Sequence, residues 1–456
     1  MEIFELSAVE AHKMLCERKI SVREYISAYL KRIDAFESDI GAWEFLSPEM
    51  VLNQADALDA ILSNKKEQPR SLFGVPVGIK DVFNTADMPT CMGSPIWSGF
   101  QPGNDARVVE EMRYNHAVIL GKTVTAEFAV HSPGKTRNPH NLNHSPGTSS
   151  SGSAAAVASQ MVPVAIGTQT AGSTIRPASY TGVYGFKPSF GSVPRTGILK
   201  TLDTLDHVTF FSRCVDDIKM CFDAVRVRGR NYPFVHLHMD MCDERSVADR
   251  PYKVAFVKTH VWDLAEDYVK SEIYSFVEKL QTLTGVQLTY VDLPHDFDTS
   301  HDVHDLIYEK SLSYYFYDEY RNNGSKISPI MRHLIERGMG YSKEEFFECL
   351  AEQNRLAQLL DNFLAGFDVV ISNSTAQDAP EGLYGREEKD PSLMWTLCRV
   401  PSLNVPLFKS PRELPFGLQV VSRRFNDYRL LGFVKYLEES GLAHVALAPD
   451  LAVGNS

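Results

Sequence analysis

The chain has 456 residues and a formal net charge of −12, with 44% hydrophobic and 23% charged residues. This composition is typical of a soluble globular protein with a sizeable core. The length allows about three domains, although α/β enzymes of this size are often single. The negative charge argues against nucleic acid or an anionic membrane surface as a direct partner. No stretch approaches the roughly 18 consecutive apolar residues of a membrane-spanning helix, so no membrane segment is predicted.

The start of the chain and its cysteines predict a cytoplasmic protein. The first residues, MEIFELSAVEAHKML, are acidic and amphipathic and lack the basic and apolar regions of a signal peptide. The seven cysteines are scattered and form no Cys-x-x-Cys pair. This pattern favours reduced thiols in a cytoplasm-like compartment and argues against a zinc ribbon.

Three helices are predicted in residues 1–65. Ser7 and Ser21 each stand three residues before a glutamate, which is the capping-box pattern of a helix start. Pro48 follows Ser47 and fits the first position of a third helix. We expect these residues to form an N-terminal helical layer without chemistry of its own.

A strand is predicted from Phe73 to Val82, and it carries an unusual lysine. Alternation along the strand places Lys80 on the same face as Gly78 and Val82. A lysine in such apolar and glycine-rich surroundings is uncommon, although lysines near strand ends often extend their amines to solvent. Lys80 is therefore a candidate for chemistry.

The block from His144 to Ser189 contains two turns of small residues. The first, over 147–153, is rich in serine and leads into an alanine-rich helix. The apolar run 162–166 predicts a buried strand, and the second turn, over 167–173, follows it. Turn, helix, strand and turn together favour a site in which backbone N–H groups point at a ligand.

The rest of the chain alternates between strands and helices. Further strands are predicted over 117–120, 183–186, 253–257, 286–291, 367–371, 402–405 and 418–421, and further helices over 121–130, 216–225, 266–283, 304–364 and 426–439. This alternation implies an α/β fold with a mixed, mostly buried sheet covered by helices. Residues 226–250 are polar and irregular, and are the best candidate for a boundary or a long excursion.

The histidine-containing segments do not predict a metal site. HLHMD (236–240) and HDFDTSHDVHD (295–305) lack the histidine pair with a helical glutamate that zinc proteases use. His301 and His304 are three residues apart and would share a helix face, but we expect both to be solvated. No metal and no other cofactor is predicted.

Among the nucleophile classes, serine with lysine fits the sequence best. The GxSxG pattern of a Ser-His-Asp hydrolase is absent from the 144–189 block, and the GxGxxG pattern of dinucleotide binding is absent after the early strands. A serine hydroxyl needs a base to remove its proton, and a buried lysine can serve because burial lowers its pKa from about 10.4. Lys80 has the most suitable neighbourhood, and the two turns would hold the serines.

The same residues resemble the amidase signature family of serine hydrolases. The resemblance rests on GTSSSGSA (147–154), GTQTAGS (167–173), GFKP (185–188) and the upstream GVPVGIKDVF (74–83), with a similar C-terminal segment from 401. It implies one large α/β domain over 66–456, to which the N-terminal layer belongs. Within it we expect a signature core over about 74–225, a variable substrate-pocket region over about 226–400, and a final strand and helix over about 401–445.

Carried over residue by residue, the resemblance implies a catalytic set. Its lysine base falls on Lys80, its bridging serine, typically in a cis peptide, on Ser149, and its nucleophile on Ser173. Ser150 competes with Ser149 for the bridging role, and we favour Ser149. The implied oxyanion and substrate-binding groups are Thr170, Ala171, Gly172 and Ser150, together with the Ser173 amide.

The sequence departs from the family pattern at several positions, and none removes the catalytic set. Thr148 and Ser151 stand where glycine is usual, Gln169 replaces a common aspartate, and Ala171 replaces a glycine of the oxyanion turn. Thr174 is one extra residue before the Ile-Arg pair. Each replacement is small or polar.

The resemblance implies an amidohydrolase that cleaves a carboxamide of a small molecule without a cofactor. Three alternatives stay open: a transferase that passes the acyl group to an amine, the amidase subunit of a glutamine-dependent amidotransferase that acts on charged tRNA, and a non-catalytic binding module. A homodimer is compatible with the sequence. Apolar residues proposed for the pocket are Trp97, Phe100, Tyr384, Met394 and Trp395.

Overall fold

A single eleven-stranded sheet organises the described part of the chain. The computed structural model describes residues 2–63, 68–228, 239, 251–385 and 389–443. The strands are β1 (Trp43–Leu46), β2 (Pro76–Lys80), β3 (Val118–Thr123), β4 (Val164–Gln169), β5 (Tyr184–Lys187), β6 (His207–Ser212), β7 (Tyr252–Lys258), β8 (Val286–Asp292), β9 (Val369–Asn373), β10 (Ser402–Lys409) and β11 (Pro415–Val421).

The sheet is mixed, as the sequence predicts. Its strand order is β1-β3-β2-β4-β6-β5-β10-β11-β9-β7-β8. Strand β2 runs parallel to both β3 and β4, and β7 runs parallel to β8 and β9, whereas the remaining neighbours are antiparallel. Every residue of β2 to β6 is buried, as expected for the central strands of a sheet covered on both faces.

Fourteen α-helices of the described residues cover the sheet. They are α1 (Ala8–Cys16), α2 (Val22–Ile40), α3 (Pro48–Ser63), α4 (Arg107–Tyr114), α5 (Ser151–Ala158), α6 (Ile175–Thr181), α7 (Val215–Val225), α8 (Asp267–Gln281), α9 (Ser300–Tyr315), α10 (Tyr317–Asn323), α11 (Pro329–Gly340), α12 (Lys343–Leu364), α13 (Leu393–Leu397) and α14 (Asp427–Glu439). The predicted capping boxes at Ser7 and Ser21 are both present. None of these helices is long and apolar enough to cross a membrane.

The fold differs from the sequence predictions at several elements. Strands β1 and β6 and helices α4, α6 and α13 are absent from the predicted elements. The helix predicted over 121–130 is wrong, because β3 continues to Thr123 and only a single 3₁₀ turn, Glu127–Ala129, follows. Phe128 and Ala129 in that turn have positive φ angles, which an α-helix cannot contain. Most of the 226–250 excursion lies outside the described residues.

The parallel strands determine where chemistry can gather. Strands β3, β2 and β4 are adjacent and parallel, so their carboxyl ends meet at one edge of the sheet. Lys80 ends β2 there, and the segment 170–173 leaves the end of β4 at the same edge. The serine turn before α5 lies beside them. In such sheets, the carboxyl edge is the usual place for a ligand.

Candidate active site

The amine of Lys80 is fully buried and bonded to three hydroxyl groups. Its Nζ lies 2.7 Å from Ser149 Oγ, 3.0 Å from Ser150 Oγ and 2.8 Å from Thr168 Oγ1. Ser149 and Ser150 belong to the serine-rich turn, and Thr168 belongs to the neighbouring strand β4. The strand alternation that singled out Lys80 therefore places its side chain between the two small-residue turns.

Burial changes the protonation of this amine. Removal from water lowers the pKa of Lys80 well below its ordinary value, and the carboxylate of Asp206 opposes this only in part. A lysine that is neutral near pH 7 has a free electron pair, and it can accept a proton from a hydroxyl group in contact with it. Lys80 has the environment of a general base.

The serine-rich turn reaches Lys80 through an unusual backbone at Ser149. Its φ is +76°, a left-handed conformation that costs a residue with a side chain roughly 1–2 kcal/mol. The peptide bonds of all described residues are trans, so the cis peptide expected at Ser149 is not present. The left-handed turn brings the two consecutive hydroxyls of Ser149 and Ser150 to the same amine instead.

The two serines differ in their other partners. Ser150 Oγ donates to the carbonyl of Thr168 at 3.1 Å and also accepts from the Thr168 amide at 3.4 Å, so its proton is engaged by strand β4. The hydroxyl of Ser149 donates to no described residue. The hydroxyl proton of Ser150 is therefore engaged by β4, whereas that of Ser149 is not engaged by a described residue.

The two turns lie against each other. A Cβ built on Gly147, in the first turn, would lie 2.6 Å from the Cα of Pro177 in helix α6. That helix follows the second turn, whose last residue, Ser173, is partly exposed. The Ser173 hydroxyl forms no hydrogen bond within the described part of the chain, so it is available to a ligand.

The segment 170–173, called the oxyanion loop after the role expected for it, is anchored through its carbonyl groups. Three of them accept hydrogen bonds from outside the loop: Thr170 O from His304 Nε2 (3.0 Å), Ala171 O from Thr396 Oγ1 (2.6 Å) and Gly172 O from the Arg176 amide (3.0 Å). In a trans peptide the carbonyl and the next N–H point in opposite directions. Each anchored carbonyl thus orients the following amide away from the protein partner.

These amides are free to bind an anion. None of the four N–H groups of the oxyanion loop donates to another described residue. Successive unpaired N–H groups form a concave site for negative charge, and here they adjoin the free hydroxyl of Ser173. The structure therefore brings the predicted residues Thr170, Ala171, Gly172 and Ser173 together as a pre-formed set of donors.

Gln169 holds both ends of this loop. Its Oε1 accepts from the amides of Thr174 (2.8 Å) and Ile175 (3.0 Å) at the start of α6, and its Nε2 donates to Thr396 Oγ1 (2.9 Å). A carboxylate could accept from the two amides but could not donate to Thr396. Gln169, which stands where the family commonly has aspartate, therefore donates a hydrogen bond to α13 that an aspartate could not donate.

Gly172 has no room for a side chain. A Cβ there would lie 1.7 Å from Asp390 Oδ2 and 2.4 Å from Asp390 Cγ. This buried carboxylate pairs with Arg176 and accepts from the amide (2.8 Å) and hydroxyl (2.6 Å) of Ser392. Both oxygens of the carboxylate are held by these bonds, so a displacement of Asp390 would disturb them.

The expectation that His301 and His304 are solvated is wrong. Both lie on helix α9 with 6% and 2% of their surface exposed. His301 Nδ1 is 2.8 Å from His260 Nε2, and His304 binds the oxyanion loop. The apolar face of α9 packs into the core and carries both rings inward. Of the segment 236–240, only Met239 lies within the described residues.

The apolar residues proposed for the pocket are spread over several environments. Met394 and Trp395 are fully buried in the core, and Trp97 packs against Phe100 with ring centroids 5.1 Å apart. Tyr384 is 72% exposed. Their role in substrate binding stays a prediction.

Three residues of the site were not found by sequence reasoning. Thr168 could have been found, because it lies on the strand next to Lys80 within the GTQT motif. Thr396 and His304 are far along the chain, on α13 and α9, and no local pattern connects them to the loop. Only the tertiary fold reveals these contacts.

Known proteins resemble this chain in sequence and in overall fold. Residues 24–431 match the family model described as Amidase. A glutamyl-tRNA(Gln) amidotransferase subunit of Halalkalibacterium halodurans is 29% identical, with 94% of this chain and 95% of that protein covered. The solved structure of a glutamyl-tRNA(Gln) amidotransferase subunit from Thermotoga maritima has a TM-score of 0.82 at 25% identity, covering 99% of both chains. The peptide amidase of Stenotrophomonas maltophilia has a TM-score of 0.81 at 24% identity, covering 98% of this chain and 99% of that one.

Replacing Gly172 by alanine tests the rigidity of the oxyanion loop. The added methyl group must displace either the loop or the Asp390 carboxylate, and a shift of about 1 Å can cost roughly 100-fold in rate. We expect Gly172→Ala to slow the labelling of Ser173 by a fluorophosphonate to that extent. Gly366→Ala is the control, because a Cβ there meets no atom within 4 Å. Equal labelling rates in the two variants would contradict a rigid loop.

Proposed function

The chain belongs to the amidase signature family, whose members cleave amide C–N bonds. We propose that it is an amidohydrolase that acts through an acyl-enzyme on Ser173. The observation that carries the proposal is the fully buried amine of Lys80, bonded to the serine-rich turn beside a loop with free amides. A base, a hydroxyl relay and anion-binding donors are the groups that acyl transfer requires.

The proposed first half-reaction moves one proton inward. Ser173 Oγ attacks the amide carbon as its proton passes to Ser149 Oγ, and Ser149 gives its own proton to neutral Lys80. The carbonyl oxygen becomes negative and receives hydrogen bonds from the amides of the oxyanion loop. Loss of one such donor typically raises a barrier by about 2.7–4 kcal/mol.

The remaining steps complete acylation by returning the proton to the leaving group, and then release the acid in the second half-reaction. As the C–N bond breaks, the proton on Lys80 travels back through Ser149 to the leaving nitrogen, which departs as an amine or ammonia. Water then gives a proton to the same relay and attacks the acyl-Ser173 ester. The acid leaves and Ser173 regains its proton, so the enzyme is unchanged. All steps use residues of this chain, and no cofactor enters the proposal.

Ser149 is the better candidate for the relay. Both serines contact Lys80, but Ser150 also donates to the Thr168 carbonyl, whereas Ser149 keeps its proton free for exchange. Ser150 and Thr168 would hold the amine in place. Thr170, Ala171 and Gly172 would supply oxyanion donors together with the amide of Ser173.

A second candidate function is the amidase subunit of a glutamine-dependent amidotransferase. Relatives named as glutamyl-tRNA(Gln) amidotransferase subunits match this chain over nearly their whole length. In that case glutamine would be the substrate, and its ammonia would pass to a partner. A transferase that captures the acyl group with an amine would use the same acyl-enzyme. Hydrolysis of L-glutamine alone, and not of other carboxamides, would favour the amidotransferase role.

The proposed layout is one amidase domain over 66–456 with residues 1–65 as a layer of it. The Asp217 carboxylate of α7 accepts from the amides of Ala8 (2.9 Å) and Val9 (3.0 Å), which joins the first helix to the signature core. The six described cysteines are free thiols, which supports a reducing compartment such as the cytoplasm.

Removing the nucleophile tests the proposed function. Ser173→Ala is expected to abolish amide hydrolysis on a panel that includes L-glutamine and simple aliphatic and aromatic carboxamides, because no acyl-enzyme can form. Released ammonia and acid are the readouts, and added hydroxylamine reveals acyl transfer. Turnover by Ser173→Ala at the wild-type rate would rule out the acyl-enzyme.

A matched pair of variants tests the relay. Ser149→Ala is expected to lower the labelling rate of Ser173 by roughly 100-fold to 10,000-fold, the range typical of a lost general base. Ser150→Ala removes a hydroxyl from the same amine and is expected to have a much smaller effect, mainly on the melting temperature. The opposite order of labelling rates would assign the relay to Ser150.

A further inference from the structure

His304 contacts the oxyanion loop from a distant part of the chain. It lies on helix α9, is 2% exposed, and its Nε2 is 3.0 Å from the carbonyl oxygen of Thr170. A carbonyl can only accept, so Nε2 must carry the proton of this bond. The remaining ring nitrogen, Nδ1, faces the Asp305 carboxylate at 3.6 Å.

The bond acts on a single peptide unit. The carbonyl of Thr170 and the N–H of Ala171 belong to one planar trans peptide, so fixing the first determines the direction of the second. The side chain of Thr170 is fixed as well, since its Oγ1 donates to Asp206 Oδ1 at 2.7 Å. With the residue held at two points, the Ala171 amide cannot rotate freely.

The imidazole of His304 is itself held rigidly. It lies against the ring of Tyr308, one turn later on α9, with centroids 5.5 Å apart, and Tyr308 in turn contacts His131 at 6.3 Å. Close packing of a buried ring restricts its rotation. Its hydrogen bond therefore has a fixed direction.

His301 shows that burial on α9 alone does not create this contact. It precedes His304 by three residues and is also buried, but its Nδ1 is paired with His260 Nε2. No bond joins His301 to the oxyanion loop within the described residues. His301 is therefore a matched control for His304 on the same helix.

We propose that His304 is a positioning residue that aims the Ala171 amide at the oxyanion of the transition state. The inference rests on the proposed function of the oxyanion loop. In this role His304 acts through the peptide that it binds and moves no proton in the reaction. Its contribution is to keep a donor aligned before the substrate arrives, so that little reorganisation is needed during the reaction.

The test compares His304→Gln with His304→Met. Glutamine can place a side-chain N–H near the position of Nε2, whereas methionine has a similar length and no donor. We expect His304→Met to slow the phosphonylation of Ser173 by a fluorophosphonate roughly 10-fold to 100-fold. His304→Gln should recover most of the rate, and His301→Met should retain the wild-type rate. The melting temperature of each variant separates loss of folding from loss of positioning.

The outcomes distinguish the inference from the function on which it rests. Suppose first that Ser173→Ala is inactive. The role of His304 alone is then overturned if His304→Met labels at the wild-type rate. It is also overturned if His304→Gln is as slow as His304→Met at an equal melting temperature. If Ser173→Ala hydrolyses amides like the wild type, both proposals are wrong. For a substrate found in the panel, a fall in kcat with unchanged KM would agree with transition-state positioning.

Discussion

The burial of one amine organises this site. Lys80 ends a fully buried strand, and its Nζ is enclosed by the hydroxyls of Ser149, Ser150 and Thr168. Removing an ammonium from water is unfavourable, so burial lowers the pKa of Lys80 and favours the neutral amine, which can take a proton. The serine-rich turn accepts a left-handed residue at Ser149 to reach that amine.

The oxyanion loop depends on a second constraint, which comes from distant elements. Helices α9 and α13 each supply one donor to a loop carbonyl, through His304 and Thr396, and the start of α6 supplies a third. Because Gly172 has no side chain, the Asp390 carboxylate can lie in contact with the loop. Because the carbonyls are occupied, the amides face the site without partners. Helices α9 and α13, which belong to the region expected to be variable, thus help to hold the loop in place.

The sequence predicts the local parts of this arrangement and misses the long-range ones. The strand of Lys80, both turns and the α/β alternation follow from periodicity and small-residue runs, because each depends on neighbours in the chain. The burial of His301 and His304 could not be predicted, since their polar surroundings in HDVHD resemble a solvated helix start. Strand β6 and the turn at Glu127–Ala129 were missed because their conformation is set by partners far away in sequence. Thr396 acquires its role only through tertiary contact.

The pH dependence of Ser173 labelling reports the protonation state of Lys80. A lysine base acts when neutral, so the rate of phosphonylation must fall as the pH drops through the pKa of Lys80. Because burial lowers that pKa, we expect the phosphonylation rate to fall at a pH well below the ordinary lysine pKa of about 10.4. Above the lowered pKa, the rate should be level. A phosphonylation rate that is still rising at about pH 10.4 would show that Lys80 is charged at neutral pH and would contradict its role as the base.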